Sequence, residues 1–173
     1  KGALMNHENN HENKYNFYDF LPLIIITGLI IAFTIIMSFY RGGWNYKEAM
    51  LDFMAGFFLV FGFFKIINLA GFVEAYSMYD IIAQRSKFYA YIYPFIEIGL
   101  GLAYLFRYQL FLANIITVII MAIGSIGVAI ELAKGRQIVC ACLGAVFKLP
   151  MTYVTLSEDL VMGSMALGMI LFM

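Results

Sequence analysis

Charged residues are scarce in this chain: Asp, Glu, Lys and Arg make up 13% of its 173 residues, against roughly 25% in a soluble domain. Apolar residues reach 63%, against about 45–50% in soluble domains. A soluble protein of this composition would expose large apolar patches and aggregate, whereas a lipid bilayer demands such a surface. The formal net charge is zero, which argues against a nucleic-acid-binding protein because that function needs a basic surface.

Histidine and cysteine are also rare, with two of each. Both histidines, His7 and His11, lie in the polar N-terminal stretch, so a His-based haem or zinc site and a Ser-His-Asp triad inside the bilayer are excluded. Cys140 and Cys142 are one residue apart and cannot form a long-range disulfide. The chain contains no Gly-rich phosphate loop, no His-Glu-x-x-His and no Gly-x-Ser-x-Gly, which removes the enzyme classes that carry those motifs.

Long apolar runs, in contrast, are abundant and predict an all-α integral membrane protein, a bundle of about five transmembrane helices. A bilayer core is crossed by ~20 apolar residues in a helix. Runs of this kind occupy residues 20–40, 49–67, 89–106, 110–132 and 155–173. Residues 1–19 are predicted to form a polar disordered tail or linker, and residues 20–48 the first transmembrane helix with a short loop.

The two long connections carry most of the remaining signals. In residues 68–88, Phe72, Tyr76, Tyr79 and Ala83 recur at helical spacing, which predicts a short helix on the membrane surface. The other long connection, residues 133–154, contains the cysteine pair.

The distribution of Lys and Arg predicts the orientation of the bundle. Eight basic residues, counting a snorkelling Lys65, lie on the side of the N-terminus and the two long connections, against three on the other side. The N-terminus is therefore predicted to lie in the cytoplasm and the protein in a bacterial inner membrane. Cys140 and Cys142 would then face the cytoplasm.

The pair Cys140-Ala141-Cys142 is the sharpest chemical feature, and the residues leave its role open. Two thiols at this spacing can converge on one soft cation such as Cu(I), Zn(II) or Hg(II). They can also close a small strained disulfide, which is an oxidising one. The basic residues nearby, Lys134, Arg136 and Lys148, would lower the thiol pKa and help either chemistry. Packing without chemistry is the third alternative.

Glu97 lies in the middle of the third span, three residues after Pro94. A carboxylate there costs at least ~2.5 kcal/mol to insert, so it marks a candidate functional residue. Two interpretations stay open: a hydrogen bond to Asn114 or to a tyrosine that fixes helix packing, or binding of an ion or a proton. The acids near span ends, Asp52, Glu158 and Asp159, are predicted to be solvated helix caps, with Asp52 and Asp159 on opposite sides of the membrane and therefore not in one site.

Six stretches of the chain together resemble bacterial membrane proteins of the MauE/DoxX type. They are FMAGFFLVFGFFK at 53–65, LAGF at 69–72, YSMYD at 76–80, YPFIEIGLG at 93–101, CACLG at 140–144 and FKLPM at 147–151. The resemblance covers residues 49–173 and implies a four-helix core, to which the first span is an addition. It also implies thiol or disulfide chemistry, since MauE is thought to help disulfides form in a partner enzyme. Similar proteins often carry a heavy-metal-associated domain, which binds soft metals.

These observations give one leading function and two alternatives. The first is a small membrane protein that binds or relays a soft metal ion through Cys140 and Cys142, with Glu97 as an intramembrane polar partner; whether it is an enzyme stays open. The second is a thiol–disulfide redox component, similar to a disulfide oxidoreductase, that serves a thioredoxin-like protein or a maturing enzyme. The third is a structural subunit. Expected partners are the bilayer and either a heavy-metal-associated domain protein, a metal pump or a thioredoxin-like protein; assembly into a homo-oligomer stays open.

Overall fold

The computed structural model describes residues 17–134 and 152–172, which form six α-helices. They are α1 (Phe17–Tyr40), α2 (Tyr46–Ile67), α3 (Leu69–Tyr76), α4 (Lys87–Leu105), α5 (Leu110–Ala133) and α6 (Thr152–Phe172). No strand occurs in these two stretches. The five long helices correspond to the five predicted apolar runs, with starts two or three residues earlier for all but α5.

Side-chain caps and glycine explain where the first helices begin and end. A turn containing Gly42 follows α1, and the φ of Gly42 is +86°, a value that glycine adopts without steric cost. Asn45 caps α2 by accepting a hydrogen bond from the Lys47 N–H at 3.0 Å. Asn68 separates α2 from α3, and its side chain accepts from the Gly71 N–H at 3.2 Å. The turn predicted between the first two spans is therefore present.

Two helix pairs form the body of the bundle. Helix α2 packs along α4 and α5 packs along α6, while α1 packs against α2. Gly101 of α4 allows its close contact, because an added Cβ would lie 2.8 Å from the Leu59 side chain of α2. Gly99, in contrast, faces open space, so only one of these two neighbouring glycines brings helices together within the described bundle.

The outward-facing surface of the long helices is apolar, as a bilayer requires. Leu29 and Ile36 of α1 are each 65% exposed, and Phe63 of α2 is 59% exposed. In the part of the chain that the structure describes, four helices are long and apolar enough to cross a membrane, at Leu21–Tyr40, Tyr46–Ile67, Lys87–Leu105 and Leu110–Ala133. The chain is thus an all-α membrane bundle, and the crossing of α6 as a fifth span remains a prediction.

The predicted amphipathic helix in the first long connection is present as α3, but its apolar face does not lie on a surface. Phe72, Tyr76, Tyr79 and Ala83 are all buried in the core. Tyr76 packs against Tyr93 of α4, with ring centroids 4.6 Å apart. The helical spacing therefore marked residues that anchor this connection to the bundle rather than to lipid headgroups.

A carboxylate closes the turn that follows α3. Asp80 accepts hydrogen bonds from the N–H groups of Ile82 and Ala83 and, at 3.0 Å, from the Tyr76 hydroxyl. Burial raises the pKa of Tyr76 well above its usual range, so the hydroxyl stays protonated and donates a hydrogen bond to Asp80. Gly127 of α5 fits closely over the turn, since an added Cβ would lie against the Tyr79 carbonyl oxygen.

Candidate functional site

A small polar cavity lies inside the bundle, between α2, α3, α4, α5 and α6. Its volume is about 30 Å³, which is enough for roughly one water molecule. The residues that line it are Phe57, Phe61, Lys65, Phe72, Tyr76, Tyr79, Tyr93, Glu97, Met121, Gly124, Thr155, Glu158 and Asp159. Aromatic rings therefore surround a group of four charged side chains, Lys65, Glu97, Glu158 and Asp159, which we call the cavity cluster.

The centre of the cavity cluster is an ion pair between two helices. The Lys65 Nζ of α2 donates to the Glu97 Oε1 of α4 at 2.5 Å. The ammonium also lies over two aromatic rings, 5.5 Å from the centroid of Phe72 and 5.1 Å from that of Tyr93. Both members of the pair are buried, so the attraction acts with little screening by water.

This pair corrects two of the sequence-based predictions. Lys65 is 8% exposed and does not snorkel towards the interface, because its charge is neutralised inside the bundle. Of the two hydrogen-bond partners predicted for Glu97, Asn114 is wrong, because Asn114 bonds Tyr104 and Lys65 bonds Glu97; the tyrosine alternative agrees with the interaction between Tyr93 and the Glu97 carboxylate. The sequence does single out Lys65, since a lysine at the end of an apolar run lies either at the interface or in an ion pair. It does not identify the partner, because Glu97 is 32 residues away and only helix packing brings the two together.

The second carboxylate oxygen of Glu97 is left without a partner. Glu97 is 2% exposed, and its Oε2 is buried and accepts no hydrogen bond. Buried polar atoms are normally paired, and an exception calls for an explanation such as a bound proton, water or ion. The Oε2 of Glu97 is therefore available to accept a hydrogen bond from a water or a proton carrier, or to contact an ion, in the cavity.

Glu158 and Asp159 bring two more carboxyl groups to the cavity from the second turn of α6. Both side chains are partly buried and line the cavity, so the prediction that they are solvated caps is wrong. Asp159 points towards α5, since a Cβ added to Gly124 would lie 2.8 Å from its Oδ2. The absence of a side chain at Gly124 thus makes room for the carboxylate between the two helices.

A different charged cluster surrounds Asp52, which is fully buried and is not the solvated cap that was predicted. Arg41 donates to both carboxylate oxygens of Asp52, at 2.8 and 3.0 Å, and Arg107 donates to Oδ1 at 2.7 Å. Glu48 accepts from the same two arginines. Asp52 lies thirteen residues before Lys65 in α2, about 20 Å along the helix, so the two charged clusters are separate and Asp52 is distant from Asp159.

Asn114 belongs to a third polar group, which stabilises the packing of α4 on α5. The Tyr104 hydroxyl donates to the Asn114 Oδ1 at 2.9 Å and lies 2.8 Å from the Thr117 hydroxyl. All three side chains are buried. Asn114 is absent from the cavity lining, so its place in the structure is in helix packing.

Cys140 and Cys142 lie outside the described residues, in the connection between α5 and α6. This connection leads into Thr152, the first residue of the helix that carries Glu158 and Asp159. Within residues 17–134 and 152–172, no group of three or more His, Cys, Asp or Glu side chains is arranged to hold a metal ion.

Comparison with known proteins gives one result. The family model described as "Methylamine utilisation protein MauE" matches residues 46–172, from the first residue of α2 to the last residue of α6. No curated protein and no solved structure gives a significant match. The matched region contains the cavity cluster, the Asp52 cluster except Arg41, and the cysteine pair.

Proposed function

The chain belongs to the MauE family, and from that premise we propose that it is a membrane component of thiol–disulfide exchange. In this proposal Cys140 and Cys142 alternate between a dithiol and a disulfide, and the partner is a thioredoxin-like protein or an enzyme whose disulfides are maturing. The observation that carries the proposal is that the family match includes both cysteines.

The exchange needs no reagent beyond the two proteins. A thiolate of the pair attacks a disulfide sulfur of the partner and forms a mixed disulfide, and the partner's second sulfur leaves as a thiolate. The other cysteine of the pair then attacks the mixed disulfide, which closes the Cys140–Cys142 bond and releases the partner as a dithiol. The pair loses two electrons and the partner gains them; the reverse sequence oxidises the partner. Lys134 and Arg136 precede the pair in sequence and favour its thiolate form, which attacks in one direction and is the leaving group in the other.

A trapping experiment tests this proposal. In the Cys142→Ser variant, Cys142 cannot resolve a mixed disulfide between Cys140 and a thioredoxin-like protein, and quenching with acid and a thiol-blocking reagent stops the partner's own second thiol from reversing it. The covalent complex should therefore accumulate and disappear on reduction. The Cys140→Ser variant tests the opposite order of attack, and the double variant is the control that should trap nothing. If neither single variant traps a partner, and the wild-type pair cannot be oxidised and reduced reversibly, the redox function is refuted.

A soft-metal function is the second candidate, and the Lys and Arg distribution favours it. With Lys65 removed from the count because it is buried, seven basic residues remain on the cysteine side against three on the other. This bias favours a cytoplasmic N-terminus and a cytoplasmic cysteine pair, with the bundle in an inner membrane. Thiols stay reduced there and are free to bind Cu(I), Zn(II) or Hg(II). A heavy-metal-associated domain protein or a metal pump would then be the partner.

Two measurements separate the candidates. A membrane-impermeant thiol reagent, applied to intact cells after reduction with a membrane-impermeant phosphine, should label the pair if it faces the oxidising side and leave it unlabelled if it is cytoplasmic. Metal analysis of the purified protein should find one soft metal per chain, absent from the Cys140→Ser/Cys142→Ser variant, if the metal function is right. Full metal binding by that double variant would rule the cysteines out as ligands. If replacing both cysteines changes neither the thiol–disulfide exchange nor the metal content, a structural subunit is the remaining alternative.

A further inference from the structure

The charges in the cavity cluster do not balance. Among the described lining residues, three carboxyl groups, Glu97, Glu158 and Asp159, face one ammonium group, Lys65. The titratable groups around them are Tyr76 from α3, Tyr79 and Asp80 from the turn that follows, and Tyr93 from α4. Helix α5 contributes Met121 and Gly124, neither of which can titrate.

Lys65 and Asp80 are already committed to other groups. The Lys65 ammonium bonds Glu97 at 2.5 Å, and the Asp80 carboxylate is held by two backbone N–H groups and the Tyr76 hydroxyl. None of the described basic side chains forms an ion pair with Glu158 or Asp159. The cavity would therefore hold two excess negative charges if all three of its carboxyl groups were ionised.

Such an excess is costly between helices in a bilayer. An ionised carboxylate without a partner is expensive to bury, and the group usually becomes neutral by binding a proton. The size of the cavity supports the same conclusion, because about 30 Å³ admits a water molecule or a bare ion but no organic ligand. The unpaired Oε2 of Glu97 adds an acceptor that faces whatever occupies this space.

We propose that the cavity cluster is a proton-binding site, in which Glu97 stays ionised against Lys65 while Glu158 and Asp159 bind and release protons. The Asp159 carboxylate packs against Gly124, where no side chain intervenes. This packing holds the carboxylate inside the bundle, where a proton can neutralise its charge. This site goes beyond the thiol–disulfide function and does not depend on it, so the protein with both cysteines replaced by serine is equally suitable for the test.

Carbodiimide labelling of the wild-type protein is the first test. Dicyclohexylcarbodiimide enters apolar regions and adds covalently to protonated carboxyl groups, and peptide mass spectrometry identifies the residue modified. In nanodiscs, Glu158 or Asp159 should be labelled at about pH 6, with labelling falling about tenfold per pH unit above the midpoint of titration. Glu74, which is exposed on α3, is the internal control and should stay unlabelled.

Three results would overturn the proposal. The first is no labelling of Glu158 and Asp159 at any pH at which the helical circular dichroism is native. The second is labelling that does not change with pH. The third is a loss of labelling when sodium replaces choline at constant pH, because the cavity would then be a sodium site.

A geometric variant tests whether the cavity itself is responsible. Gly124→Ala changes no charge, but its new Cβ would come 2.8 Å from the Asp159 Oδ2 and must displace that carboxylate. The midpoint of the labelling profile should therefore shift in Gly124→Ala, whereas Gly99→Ala, at a position with open space around it, should leave it unchanged. Identical profiles in both variants would mean that Asp159 titrates outside the cavity, against the proposal.

Discussion

Breaking the Lys65–Glu97 pair from one side should cost more than removing both charges. In Lys65→Met, Glu97 keeps its buried position at 2% exposure and loses the ammonium 2.5 Å away. Removing one partner of a buried pair typically destabilises a protein by about 3–5 kcal/mol, because an uncompensated charge remains. With a Tm change of about 2–4 °C per kcal/mol for a chain of this size, we expect a loss of about 6–20 °C.

The double variant Lys65→Met/Glu97→Gln distinguishes this reasoning from simple loss of contacts. It leaves no buried charge in the pair, so its stability should be closer to that of the wild type than the sum of the two single losses predicts. Thermal unfolding in a mild detergent, followed by circular dichroism, measures all three variants. Lys87→Met, at the exposed start of α4, is the matched control and should change Tm little. Additive losses would show that the two side chains are not coupled and would refute the pair.

The same thermal assay checks three further predictions. Asp52→Asn should lower Tm by several degrees, because Arg41 and Arg107 lose a carboxylate that both contact while each remains partly exposed; an unchanged Tm would show that the cluster contributes nothing. Gly127→Ala should destabilise by about 1–3 kcal/mol through overpacking on the Tyr79 carbonyl, and tolerance of alanine there would refute that contact. Asn114→Leu should cost only about 0.5–1.5 kcal/mol, the net value of one hydrogen bond, because the Tyr104 hydroxyl keeps Thr117 as a partner, and it should not alter the carbodiimide profile.

The sequence predicted the elements of this fold better than their contacts. Apolar runs reveal spans because each helix must be long and apolar to cross lipid, and all five runs are helices in the structure. Glu97 was identified since a mid-span acid is costly in any arrangement. Its partner was not, because Lys65 lies near a span end, where a snorkelling lysine and a paired one have the same local sequence. Only the packing of α2 on α4 decides between them.

The acids near helix starts were misjudged for a related physical reason. The predicted helix starts, at residues 49 and 155, put Asp52 and Asp159 at or just after the first turn, where a carboxylate in water interacts favourably with the helix dipole, but both helices begin three residues earlier. Whether such a position is wet depends on what covers it from neighbouring elements. Arg41 and Arg107 come from outside α2 and enclose Asp52, and α5 covers Asp159 through Gly124. No pattern within a single helix contains this information.

The charge balance of the two clusters explains why one is structural and the other a candidate for function. Around Asp52, two acids meet two arginines, so every charge has a partner and the group fastens α1 and the α4–α5 turn to the start of α2. In the cavity, three acids meet one lysine among the described residues, and in our proposal protons supply the missing charge. A balanced cluster holds its protonation state, whereas an unbalanced one must exchange protons when its surroundings change. Proton binding is therefore expected at the Lys65 end of α2 and not at the Asp52 end.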